Sequence, residues 1–191
     1  MKTYLKVCVV ILGIITLQSF IQQTEEQDFI AKSVMSNRFE IAMAEQAIEK
    51  SDNVATKAYA RELVADHQKI LAELEAYAQS KGLNVPQGID REHQSKLESL
   101  AVLDKGRYDE LFQETAIASH EKSIALFERA GTDNMTEDDD FRTWITDRLP
   151  SLRSHLAKAK ALLNTNGNNK ETMPKIMPKV KDTMINNSET L

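Results

Sequence analysis

Downstream of residue 24, apolar side chains recur every three or four positions in four long runs, the period of a helix with one buried stripe. In the first run, residues 25–50, the stripe is Phe29, Ile30, Val34, Ile41, Ala44 and Ile48. "SDN" at 51–53 supplies N-cap residues for a second helix to about Lys81, with Val54, Ala58, Leu63, Ile70, Leu74 and Tyr77 on its stripe. "KGLNVPQG" ends it with a glycine cap and a proline turn. A short helix over residues 90–103 leads to the third long run, residues 107–130, with Leu111, Phe112, Ile117, Ile124 and Phe127. Gly131 is expected to end that run and Thr136 to cap the fourth, where Glu137, Asp138 and Asp139 suit the positive end of a helix. The fourth run carries Phe141, Trp144, Ile145, Leu149, Leu152, Leu156 and Leu163, with Pro150 inside it as an expected kink. Every glycine past residue 80 is read as a break between runs.

Four helices of roughly 36–45 Å, at about 1.5 Å per residue, have matched lengths, and one long connection separates two short ones. That pattern predicts an all-α four-helix bundle: two antiparallel hairpins joined by a crossover that carries the extra short helix, between helices 2 and 3. At each end of the chain the period is lost. "MKTYLKVCVVILGIITLQSFIQQ" places Lys2 and Lys6 before the apolar run from Val7 to Leu17, the form of a signal peptide over residues 1–23. Residues 166–191, rich in Asn, Lys and Thr, are expected to be a disordered tail. The domain is therefore 24–165.

Composition removes several classes of function. With 24 Lys and Arg against 29 Asp and Glu, and no basic cluster in residues 24–164, nucleic acid is not an expected partner. The only cysteine, Cys8, falls in the leader, so the mature domain has neither a disulfide nor a thiol nucleophile. There is no glycine-rich phosphate loop and no G-x-S-x-G elbow. No catalytic residue is assigned.

What remains is histidine. In "ELVADHQKI", "AIASHEKSI" and "SLRSHLAKA", His67, His120 and His155 each fall where the period calls for an apolar residue, one on each long helix after the first. On the first long helix the polar residue at the comparable level is Glu40. Facing helices could bring the four to one level as ligands for one transition-metal ion, zinc, iron, manganese or copper. The alternative is a layer of hydrogen-bonded polar groups that fixes register. Asp66, beside His67, is a candidate to orient an imidazole, although neighbours on a helix point about 100° apart and Asp66 is better placed to serve an adjacent helix or solvent. His93, among charged residues, is read as exposed.

Three stretches, "FIAKSVMSNRFEIAMAEQAIEKSDNVATKAYARELVADHQKILAEL", "YDELFQETAIASHEKSIALFERA" and "LPSLRSHLAKAKAL", resemble the DUF4142 family over about residues 27–164. Asp66-His67, His120 and the "LPxLRxHL" of Leu149 to Leu156 carry the resemblance. It implies a ferritin-like fold and an exported bacterial protein of the periplasm or outer membrane, with no activity attached. Ferritin-like di-iron proteins carry Glu-x-x-His pairs, whereas Val64 and Leu152 stand three residues before His67 and His155, so at most one metal is expected. Two readings follow. The first is a non-enzymatic envelope protein that binds a protein, membrane-surface or stress-related partner; the second is a metal protein built on Glu40, His67, His120 and His155.

Overall fold

The computed structural model describes residues 2–132 and 135–171, with side chains for 24–105, 107–132 and 135–165. It contains helices α1 (Lys2–Lys50), α2 (Val54–Lys81), α3 (Arg91–Ala101), α4 (Lys105–Thr132) and α5 (Asp139–Glu171), and no strand among the described residues. The expected signal peptide lies outside the described side chains; of the expected disordered tail, residues 166–171 instead continue helix α5, and those from 172 onward lie outside the described residues. Among the described residues no helix is long and apolar enough to cross a membrane.

The helix ends follow from capping chemistry. The Asn53 side chain accepts hydrogen bonds from the backbone N–H groups of Ala55 (2.8 Å) and Thr56 (3.2 Å), satisfying two of the donors that α2 leaves open. Gly82 closes α2 at φ +67°, a left-handed conformation in which a side chain is strained. Asp90 caps α3 through the His93 N–H. At the other end of α3, the Lys50 ammonium reaches the carbonyls of Leu100, Ala101 and Leu103 and neutralises the negative terminus.

Four expectations about the elements change. Gly106 and Gly131 lie inside α4 rather than beyond it, in its first and last turns, and Gly167 lies inside α5. A methyl group on Gly131 would come within 2.8 Å of Thr146 Cγ2, so the close approach of α5 accounts for a glycine there. The cap of α5 is Asp138, whose carboxylate accepts from the Phe141 N–H at 3.0 Å; Thr136 sits one step out and accepts from the Asp138 N–H at 3.1 Å. Val54 and Ala58 are exposed, and the first turns of α2 bury Thr56, Tyr59 and Ala60 instead, because the stripe rotates as the helix leaves its cap. Pro150 is accommodated within one continuous α5.

α1 packs along α2, and α4 along α5, as two hairpins; α1 also faces α4 and α2 faces α5, while α3 lies across α1 and α4. The apolar interior is divided. One cluster contains Phe29, Ile30, Val34, Ile70, Leu74, Phe127, Phe141, Ile145 and Leu152. The other contains Phe39, Met43, Tyr59, Leu63, Leu100, Tyr108, Phe112 and Ala159. Between them α1 contributes buried Ser33, Asn37 and Glu40, α2 contributes His67, α4 contributes Ser119 and His120, and α5 contributes His155. Burying that many polar groups in mid-bundle is costly unless each finds a partner.

Candidate metal centre

The three histidines reach one point from three helices. Their ring centroids stand 5.5 Å (His67–His120), 5.5 Å (His67–His155) and 5.3 Å (His120–His155) apart. One ring nitrogen from each lies within 4.8 Å of the other two. All three side chains are buried, at 3%, 0% and 1% exposure.

Which nitrogen is free follows from the hydrogen bonds. His120 Nδ1 stands 2.8 Å from the Ala116 carbonyl, which only accepts, so Nδ1 carries the proton. His155 Nε2 lies 2.9 Å from Asp66 Oδ2 and donates to it. Asn37 donates its amide N–H to the Ser33 carbonyl at 2.7 Å, which turns Asn37 Oδ1 toward His67 Nδ1 at 2.8 Å as acceptor. A neutral imidazole with one N–H used this way keeps a bare lone pair on the other nitrogen. Those three atoms, His67 Nε2, His120 Nε2 and His155 Nδ1, are all buried and without a hydrogen-bond partner.

Burial disfavours the charged form of His67 and His155. Burial holds His67 well below its ordinary value, reinforced by His120 and His155 beside it. His155 is lowered by burial and by His120, partly offset by its bond to Asp66. Neutral imidazole is the form that binds a metal.

Glu40 is placed differently from the histidines. It is buried in the same layer, with Oε1 at 3.6 Å from His120 Nδ1, the protonated edge of that ring. Among the described residues, the group that converges within 4.8 Å contains the three histidines and not Glu40. Burial raises the Glu40 carboxyl above its usual range by more than His120 and the Ser119 hydroxyl lower it. Asp66 serves the adjacent helix: it orients His155 on α5, not its neighbour His67. His93, read from sequence as exposed, is half-buried, with its ring stacked on Phe39 at 4.5 Å, because α3 lies across α1.

Sequence reasoning missed Asn37 and the Ala116 carbonyl. A signal for Asn37 was present: Ser33, Asn37 and Glu40 repeat at helical spacing within the apolar face of α1. The Ala116 carbonyl left no trace, since a backbone group one turn before a histidine has no residue code.

A family model described as "Domain of unknown function (DUF4142)" matches residues 18–162. No curated protein and no solved structure matches the chain.

Proposed function

Since the chain belongs to the DUF4142 family, whose description assigns no function, we propose from the geometry of its core that it is a metal-binding protein with one transition-metal ion held by His67, His120 and His155. One observation carries the reading: three buried imidazoles each use one ring nitrogen in a hydrogen bond and leave the other unpartnered, while one ring nitrogen from each lies within 4.8 Å of the other two. An acceptor on the far nitrogen is the usual support of a metal-ligating histidine, because it sets the tautomer and raises ligand basicity. If the layer served only to fix register, each bare nitrogen would cost about 1–3 kcal/mol with nothing in return. One ion removes all three costs at once.

Three imidazole donors suit zinc, copper, iron or nickel. A protein shell of three nitrogens leaves a fourth position for water or a small ligand, the coordination of catalytic rather than purely structural zinc. Glu40, beside His120, supplies the nearby carboxylate. Export to the cell envelope belongs to the same proposal and is supported by the Lys-flanked apolar run at residues 2–17. N-terminal sequencing of the secreted or periplasmic form would check it.

The test of the centre is elemental analysis of the full chain, purified without a histidine tag, beside a His67→Ala/His120→Ala/His155→Ala variant. The expected result is near-stoichiometric metal in the parent and none in the variant. Metal absent from both after incubation with zinc, iron, manganese, copper and nickel would overturn the reading.

A further inference from the structure

Three aromatic side chains from α2 and α5 form a near-parallel stack. The ring planes of Tyr77 and Phe141 meet at 8° with centroids 3.6 Å apart, and those of Phe141 and Trp144 at 13° and 5.6 Å. Phe141 is buried, while Tyr77 and Trp144 keep part of their surface in water. Both of these are tied by their polar atoms: the Tyr77 hydroxyl donates to Glu26, and the Trp144 Nε1–H donates to Glu73 at 2.7 Å. The chain also sets its own cations over them, Lys81 at 5.4 Å from the Tyr77 centroid and Arg148 at 5.2 Å from that of Trp144.

A groove of about 510 Å³, within the size range of binding pockets, is lined by the three rings with Glu73, Asp138 and Asp140. Every charged residue on its lining is acidic. Asp138 is paired with Lys81 at 2.8 Å and Glu73 with Arg148 at 3.4 Å, whereas the exposed Asp140 carboxylate has no ion pair among the described residues. The chain carries a segment of complementary chemistry. Residues 173–181 read "MPKIMPKVK", two Met-Pro-Lys units each followed by a β-branched apolar residue. Proline-rich runs dock on aromatic-lined grooves in the extended polyproline form, because proline fixes φ in advance and leaves little entropy to lose. Lys175, Lys179 and Lys181 match the acidic lining in sign.

Reach decides whose segment it is. At about 1.5 Å per residue, α5 carries the chain about 40 Å from Trp144 to Glu171. Fully extended, the residues from Glu171 to Lys179 span at most about 29 Å, so the repeat of one copy falls short of that copy's own groove. We propose that the groove receives the Met-Pro-Lys segment, residues 173–181, of a second copy of the chain. Its prolines and apolar side chains lie on the rings, and a lysine pairs with Asp140. The rings are already held by Glu26 and Glu73, so docking orders few further side chains. The metal centre takes no part in it.

Trp144 is the only tryptophan, so its emission reports on the groove. The experiment is sedimentation velocity on the full chain over a range of concentrations, with Trp144 emission recorded on the same samples. The parent should associate as concentration rises, and its emission should shift in step. Lys175→Glu/Lys179→Glu, at positions beyond α5, and Asp140→Lys, at an exposed position, should each stay monomeric with the emission of the diluted parent. A synthetic peptide of residues 172–182 should restore the shift, saturably, in the lysine variant and not in Asp140→Lys. A parent that is monomeric at every concentration, or association that persists in the lysine variant, would overturn the proposal. An emission difference between parent and lysine variant that does not depend on concentration would overturn it too, since the segment would then dock within one copy. Equal binding by a peptide with alanine in place of Pro174 and Pro178 would reduce the groove to a general cation site and overturn the recognition of the repeat.

Discussion

At the residue scale, the three acceptors behind the histidines differ in how replaceable they are. Ala116 contributes a backbone carbonyl that no substitution removes, whereas Asn37 and Asp66 contribute side chains. Asn37→Ala frees the His67 ring to rotate and exchange tautomers, so metal affinity should fall about 10–100-fold, the usual effect of losing such a partner. Competitive titration against a chelator of known affinity measures it. Protonation acts on the same atoms. His67 and His155 are held below their ordinary value of 6.5, so on acidification the unfolded chain takes up protons that the folded chain refuses. Their contribution to stability is complete above that value and is lost as pH falls below it. Glu40, raised above 4.5, acts in the opposite sense between 4.5 and its folded value. The two lowered histidines make the metal-free protein lose stability as the pH falls below 6.5, and the raised Glu40 acts against that loss. Glu40→Gln removes the opposing contribution, so the loss on acidification should be larger in the variant than in the parent, as read by denaturant titrations at two pH values below 6.5.

At the element scale, the helices stop where side-chain and backbone chemistry stops them. Asn53 is the N-cap of α2, and Asn53→Ala should cost about 1 kcal/mol. Gly82 has open space around it, so any penalty for Gly82→Ala arises from its positive φ alone and should likewise be about 1 kcal/mol. Neither residue touches the histidine layer. The stability losses should therefore add in the double variant, and metal bound per folded molecule should be unchanged. Unequal effects on metal content would mean that the ends of α2 position His67, against the geometry described here.

At the scale of the whole molecule, one ion would tie three helices from both hairpins at the level where the apolar core is interrupted. Metal that binds only the folded chain stabilises it by about 2.7 kcal/mol at a free concentration of 100 times Kd. For a chain of this size that corresponds to a Tm rise of about 5–10 °C. Thermal melts with zinc and with chelator should show that difference in the parent and not in the triple alanine variant. The triple variant should be less stable than the metal-loaded parent yet still folded, since the clusters around Phe29 and Phe112 contain none of the three histidines.

Sequence alone determined the helices, because amphipathic period and capping residues are local: Asn53, Gly82 and the stripe from Leu63 to Leu74 are legible without any neighbour. It also singled out His67, His120 and His155, since a polar residue on an apolar stripe must be buried when the helix packs. Where α4 ends and which residue caps α5 were misread, because the close approach of Thr146 to Gly131 depends on the partner helix. Convergence was a tertiary decision. The crossing of α2, α4 and α5 brought three imidazoles to one point, set Glu40 at the protonated edge of His120, and gave Asp66 to the ring on the next helix. Those outcomes depend on rotations of helices about one another, and a period of 3.6 residues encodes the buried face of a helix but not the atom it will meet.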